Sequence, residues 1–238
     1  MFQIMNSLRR YFFRKNNTAL RSVKEDYVKR FKMNLSRWLI YHQQNIVFQK
    51  CRWMGMTAYK NPFDLWIYQE IIYEIKPDFI VEIGSAHGGS TLYFANILDL
   101  MSKGSVISID IDRTKYKAKH SRIIEITGDS SSPETIRQVA ALCDGKIVLI
   151  VHDADHTKKQ VLKDLNSYAG LVSLNSYFIV EDGIIDVFDP GDGLGSAEEG
   201  PLAASEEFLK THPNFVVDKD RERYILTYNP KGYLKRVR

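Results

Sequence analysis

The sequence predicts an α/β fold. It should be a doubly wound, mostly parallel seven-stranded sheet with an antiparallel C-terminal hairpin and an N-terminal helical extension. Two observations carry this reading. Short runs rich in Ile and Val, apolar on both faces, alternate with helical segments between residues 79 and 180, as in a parallel sheet covered on both sides. The stretch "DFIVEIGSAHGGSTLYFANIL" then sets an apolar run, a small-residue turn with Gly84, Gly88 and Gly89, and an amphipathic segment in succession. That is the layout of a strand, a ligand-binding turn and a helix.

In chain order, residues 1–50 are expected to be helical, with Tyr27, Phe31, Leu35 and Trp38 at spacings of three and four. Residues 51–64 read as a loop with Gly55 and Pro62, and a helix follows over Pro62–Ile75, closed by Lys76 and Pro77. Strands are predicted at Phe79–Ile83, Ser105–Asp110, Ile123–Thr127, 146–152 and Tyr177–Val180, with helices near 90–101, Pro133–Cys143 and 157–171. A helix near 202–211 precedes two last strands, Phe215–Val217 and 224–228, joined by the charged turn "DKDRER". The division predicted is a basic helical extension, 1–50, and a cofactor-binding domain, 51–238.

Composition narrows the class. With 44% hydrophobic and 26% charged residues the chain reads as an ordinary globular protein. Its two cysteines, Cys51 and Cys143, form no paired pattern, so neither a disulfide framework nor a zinc-thiolate site is indicated and a reducing cytoplasm fits. The opening "MFQIMNSLRRYFFRKNN" lacks the continuous apolar core of a secretory signal. The net charge of +4 conceals a segregation: +11 over residues 1–60 and −7 over the remainder. Such an arm suits peripheral contact with membrane lipid or an anionic glycan, or packing on the acidic body of its own or a neighbouring subunit. Nucleic acid is not the expected partner, and the aromatic residues of 11–53 suit a homo-oligomer.

In a doubly wound sheet the ligand lies outside the carboxyl ends of the strands, at the switch point. Here those ends carry Glu82 and Gly84, then Asp110 and Asp112, then Gly128, Asp129 and Ser130, then Asp153, Asp155 and His156, and last Glu181 and Asp182. Every end delivers a carboxylate. A pyrophosphate wants bare amides and few anions, and the glycine spacing fits neither G-x-G-x-x-G nor the P-loop. A cofactor with a cationic centre and a ribose diol but no phosphate fits better: S-adenosylmethionine. Asp110 is placed to accept from the ribose hydroxyls. Asp129 and Ser130 would lie near the adenine, and Glu82, Gly84 and Ser85 near the amino-acid end.

The acids after the fourth and fifth strands repel one another unless a cation relieves them. Oxygen ligands of this kind suit Mg²⁺, Ca²⁺ or Mn²⁺. Asp155, Glu181 and Asp182 form the preferred ligand set, with Asp153 facing the cofactor, and His156 is the candidate base. The facial triad of a mononuclear iron hydroxylase fits poorly, because acids outnumber imidazoles and His152 can point away. The Gly-rich stretch "DVFDPGDGLGSAEEGP" suits a lid over the substrate or a plain surface loop.

The segments "WMGMTAYKNPFDLWIYQEII", "VEIGSAHGGSTLYFA", "VISIDID", "GDSS", "DADHT", "YFIVEDGIID", "GPLAASEEFL" and "ERYILTYNPKGYLKR" occur in this order. Together they resemble the cephalosporin hydroxylase / rhamnosyl O-methyltransferase family over most of the chain. The resemblance implies a class I, Rossmann-like S-adenosylmethionine-dependent methyltransferase with a Mg²⁺ site at Asp155, Glu181 and Asp182. It also implies a cofactor cradle at the turn of Glu82, Gly84 and Ser90 with Asp110, to which the reading of the strand end itself adds Ser85 and Gly88. Members differ in where the acids of the fourth strand end fall, so Asp153 is the alternative to Asp155. The activity implied is methyl transfer to a hydroxyl of a sugar or glycosylated natural product, and the strand-end reading puts Asp155 and His156 at the reacting group. The rival readings are an NAD(P)-dependent oxidoreductase and a non-catalytic module that binds glycan or lipid through the basic arm.

Overall fold

A computed structural model describes residues 32–238. Most of the basic arm, including Tyr27 and Phe31, lies outside the described residues. The chain divides into two compact units, Met1–Tyr41 and His42–Arg238. In the first, helix α1 (Leu35–Tyr41) is capped by Asn34, which accepts the Arg37 N–H at 2.8 Å. The second opens with a π-helix, His42–Val47, and a single α turn, Phe48–Lys50.

The segment expected as a loop after Lys50 contains a two-residue hairpin, β1 (Arg52–Trp53) with β2 (Met56–Thr57). Met54 and Gly55 turn it with φ of 47° and 83°, the left-handed pair that tight hairpins need. Helix α2 (Pro62–Ile75) starts as its sequence dictates: Asn61 accepts the Phe63 N–H, Pro62 takes the first position, and Lys76 at φ 50° ends it before Pro77.

The remaining elements are β3 (Phe79–Ile83), α3 (Gly89–Leu100), β4 (Ser105–Asp110), β5 (Ile123–Thr127), α4 (Pro133–Cys143), β6 (Val148–His152), α5 (Lys158–Tyr168), β7 (Tyr177–Val180), α6 (Pro201–Thr211), β8 (Phe215–Val217) and β9 (Tyr233–Arg236). They form a seven-stranded sheet in the order β5-β4-β3-β6-β7-β9-β8, in which the first five strands are parallel and β9 runs antiparallel to both its neighbours. Alternate residues feed two cores. Val81, Ile83, Ile107 and Ile150 pack towards Val139, Val161, Leu165 and Phe208. Ile80, Val106, Leu149 and Val151 pack towards Ile67, Ile71, Phe94 and Leu98 on the other face. Among the described residues no helix is long and apolar enough to cross a membrane.

One expected strand is not formed. Residues 224–228 are irregular, and the last strand is Tyr233–Arg236 instead. The backbone of that stretch is already engaged elsewhere. Asn61 Nδ2 donates to the Leu226 carbonyl, Asp64 accepts the Tyr228 N–H at 2.9 Å, and the Tyr228 carbonyl accepts from Ile184 N–H at 3.0 Å. The charged turn is likewise no hairpin tip. Lys219–Glu222 is a 3₁₀ turn whose Arg221 folds inward, forks onto Glu74 and stacks over the Tyr177 ring.

Asp64 is the hub of this region. Its buried carboxylate accepts from Asn61 Nδ2, Thr227 Oγ1, Tyr228 N–H and Tyr233 Oη. Burial raises its pKa to about 6 from 3.8 although all four donors pull it down. The folded pKa lies above the unfolded one, so folding takes up a proton between those values. The contribution is fully present below about pH 4 and is lost as pH rises through about 6. Relative to Asp64→Asn, the wild type should therefore lose about 3 kcal/mol of stability between about pH 4 and pH 7. Urea midpoints of both proteins across that range test it, and a difference that does not move with pH would refute it.

Candidate functional site

Five parallel strands deliver their carboxyl ends to one edge of the sheet, and β3 lies between β4 and β6, where the strand order reverses. A cavity of about 570 Å³ opens there, within the range of small-molecule sites. It is lined by Gly84, Ser85, Asp110, Asp112, Gly128, Asp129, Ser130, Asp153 and Asp155, together with Ala86, Lys115 and Gln160. The structure thus gathers residues from four strand ends onto one cleft. Glu82, within β3, Gly88, at the cap of α3, and Ser90, in its first turn, are not among the lining residues.

The turn is held by close contacts. Gly84 has φ +87°, and a Cβ there would lie 1.9 Å from the Asp153 carbonyl oxygen. Gly88, at φ +86°, would meet Ala118 and Tyr116. Only glycine satisfies both demands at either position. Asp110 then pins the turn to β4: its Oδ2 accepts from Ser85 N–H at 2.8 Å and from Ala86 N–H at 2.9 Å, and its Oδ1 accepts from Asp112 N–H. Burial would raise its pKa, but these donors outweigh it and keep the carboxyl below its ordinary range. Asp112 folds onto Thr114, accepting from its N–H and hydroxyl. Arg113, which the sequence reading missed, clamps the same turn through Ser85 Oγ at 2.8 Å and the Ile126 carbonyl at 3.0 Å.

Glu82 is fully buried, and burial pushes its pKa up to about 7 against the pull of Ser90 and Thr91. Thr91 donates to its Oε2, while Oε1 is buried with no partner among the described residues. Asp129 closes an Asx turn by accepting from Ser131 N–H and Oγ. The Ser130 hydroxyl turns inward to Asp164 at 3.0 Å, where His152 Nε2 also lies, 3.0 Å from Asp164. His152 therefore points away from the strand-end acids.

Beside the cleft lies one group of three acids and histidines whose ligand atoms fall within 4.8 Å of one another among the described residues: Asp153, His156 and Asp182. His156 Nε2 is 3.0 Å from Asp182 Oδ2 and 3.5 Å from Asp153 Oδ1. Asp182 sits at φ 59°, a conformation costly for a residue with a Cβ, and its N–H donates to Asn229 Oδ1 at 3.1 Å. The structure does not bring Asp155 into this group. Asp155 is exposed and accepts the Thr157 N–H at 2.7 Å at the start of α5. Glu181 is buried against Lys60, whose ammonium is 2.6 Å from Glu181 Oε2 and also holds Asp153 Oδ2. Glu181 Oε1 is buried and has no partner among the described residues.

The electrostatics follow from burial and neighbours. Burial works against the charge of Lys60, yet Asp153 and Glu181 hold its pKa above the ordinary lysine range. Burial raises Glu181 well above a normal glutamate, whereas Lys60 and His156 outweigh burial at Asp153 and keep it ionised. For His156, hydrogen bonds to Asp153 and Asp182 overcome burial and raise its pKa to about 10. Lys60 was invisible to sequence reasoning. The only signal was its place immediately before the Asn61-Pro62 helix start. The loop 186–201 is tied at both ends by Asp186, which accepts from Gly200 N–H at 2.7 Å and Ala203 N–H at 3.0 Å.

Known proteins share this arrangement of sequence and fold. The rhamnosyl O-methyltransferase of Mycobacterium leprae is 32% identical over 204 residues, 82% of this chain and 87% of its own. That of Mycobacterium tuberculosis is 31% identical over 205 residues, covering 82% of each chain. Among solved structures, CmcI with Mg and SAM aligns with a TM-score of 0.62 at 23% identity, over 87% of this chain and 85% of that one, which shows the common fold. Residues 45–237 match the model of a family described as rhamnosyl O-methyltransferase/CmcI, so the chain belongs to that family.

Proposed function

We propose that this protein transfers a methyl group from S-adenosylmethionine to a hydroxyl oxygen of a sugar, in a reaction that depends on a divalent ion, Mg²⁺ in the first instance. The observation that carries the reading is that Asp153 belongs to two sites at once. It lines the cleft at the switch point and it is a member of the acid–histidine group beside that cleft. Donor and acceptor would meet across this one residue.

The residues suit both groups. For the cofactor, the turn Gly84–Ala86 and Asp110 would hold the ribose side, Asp129 the adenine side, and Glu82, with its unpartnered buried oxygen, the amino-acid side. For the ion, the carboxylates of Asp153 and Asp182 converge beside His156, and Glu181, whose Oε1 has no hydrogen-bond partner among the described residues, would add a third oxygen donor. Asp153 takes the place expected for Asp155, whose carboxylate is spent on the start of α5. Bound there, the ion would supply Lewis acidity to neighbouring acceptor oxygens.

His156 takes the acceptor proton. Asp153 and Asp182 favour its charged form. Neutralising those two acids removes that support and returns the imidazole towards its ordinary range, where it can act as a base. The rest of the rate comes from holding the acceptor oxygen in line with the methyl. The names of the relatives support a sugar hydroxyl as acceptor, rhamnose being the sugar in the mycobacterial enzymes. The +11 charge of residues 1–60 supports an anionic lipid surface as the place where a glycolipid acceptor is met, and the same reading includes a homo-oligomer.

Titration calorimetry with S-adenosylhomocysteine, with and without Mg²⁺, is the first test, and micromolar binding is expected. No heat with this ligand while NADH binds would transfer the reading to an oxidoreductase. Two variants should then separate the roles. Gly84→Ala drives a Cβ into the Asp153 carbonyl and should weaken S-adenosylhomocysteine by more than about tenfold. Asp182→Asn should abolish methyl transfer to a rhamnoside while leaving S-adenosylhomocysteine affinity within about threefold of wild type. Equal loss of binding in both would refute separate cofactor and metal roles.

A further inference from the structure

Lys60 is almost wholly buried, yet it lies on neither the helix nor the strands that build the acidic site. It comes from the segment before α2, which is fixed on both sides. Cys51 Sγ donates to the Lys60 carbonyl at 3.3 Å, and Asn61 caps α2 while its Nδ2 reaches the Leu226 carbonyl. The ammonium is therefore delivered rather than left to find a partner, and it takes Asp153 Oδ2 and Glu181 Oε2. The other oxygens face elsewhere. Asp153 Oδ1 lies on the His156 side, and Glu181 Oε1 is buried without a partner among the described residues.

This division of oxygens has a consequence in charge. Asp153, Glu181 and Asp182 bring three negative charges to one small, largely buried region. With His156 neutral as the base, a divalent ion alone leaves one uncompensated, and an unbalanced buried charge is costly. One divalent ion and one ammonium balance the three carboxylates. Resting on the metal-dependent reading above, we propose that Lys60 is a permanent counter-ion of the metal site, which keeps Asp153 Oδ2 and Glu181 Oε2 while Asp153 Oδ1, Glu181 Oε1 and Asp182 are left for the ion. Lys60 is then a positioning residue that fixes which oxygens face the ion and offsets the repulsion between the acids when no ion is bound. It is not a stand-in that the ion displaces.

The test is Mn²⁺ binding to the full chain, followed by electron paramagnetic resonance, in wild type and Lys60→Met. Removing a positive charge beside the ion, with side-chain length kept, should tighten Mn²⁺ by at least about tenfold, because ion and ammonium repel at close range. The same variant should melt well below wild type in EDTA and recover most of the difference with Mn²⁺. Wild type that binds Mn²⁺ beside a variant that binds equally or more weakly would overturn the counter-ion assignment alone. Absence of Mn²⁺ binding in wild type would overturn the metal-dependent reading and this inference with it. Should Lys60→Met fail to fold, ¹⁵N-lysine spectra of wild type decide the matter. The Lys60 ammonium signal should stay protected from solvent exchange before and after Mg²⁺, and its loss on adding Mg²⁺ would overturn the proposal.

Discussion

Lys60, set between Asp153 and Glu181, is what allows two adjacent strand ends to carry carboxylates side by side in a buried place. Parallel strands force this problem. Each must end at the same edge of the sheet, so acids placed at the ends of β6 and β7 are brought together whatever their charge. Water relieves such repulsion at a surface, but Glu181 is only 5% exposed. An internal cation is the remaining solution, and its placement depends on the capped start of α2. The fold and the site are thereby coupled: whatever moves Asn61 and Pro62 moves the ammonium that keeps the two acids in register.

A second constraint is the close approach of the β3 turn to β6. Gly84 passes so near the Asp153 carbonyl that no side chain fits between them. The turn is then fastened from the opposite side by Asp110 and Arg113. Cleft and acidic site are therefore not two neighbouring features that happen to share a wall. Asp153 is held by the turn through its backbone and by Lys60 through its side chain, so a shift at one site is felt at the other.

Much of this was legible in the sequence because it follows from local pattern. The five parallel strands show as apolar runs, and helix starts at Asn61-Pro62 and Ser132-Pro133 announce themselves by cap chemistry. The acids at strand ends were legible for the same reason. What could not be read was orientation. Asp153 and Asp155 are equivalent as letters, and only the turn into α5, where the Thr157 N–H needs an acceptor, decides which carboxylate is spent locally. Lys60 reaches Glu181 across 121 residues of chain and Asn229 reaches Asp182 across 47, where no spacing rule applies. The missing strand at 224–228 has the same origin: its residues are apolar and β-prone, but Asp64 and Asn61 claim its hydrogen-bonding groups.

The rigidity of the acid group comes from the layer behind it. Asp182 adopts a left-handed backbone that glycine would take freely, and Asn229 holds it there by accepting its N–H. Asn229 is in turn buried, donating to Tyr68 Oη at 2.8 Å, and Thr227 and Tyr233 beside it are fixed by Asp64. A polar chain thus runs from the first turn of α2 through the start of β9 to the Asp182 backbone. In a reaction whose rate depends on holding two substrates in line, such a chain matters more than any single reactive group, since a displacement of about 1 Å can cost about a hundredfold. The buried polar groups in this half of the molecule are costly to the fold unless every one is satisfied. Around Asp64 and Asn229 that condition is met, since the four donors on Asp64 and the Tyr68 contact of Asn229 leave neither side chain without a partner.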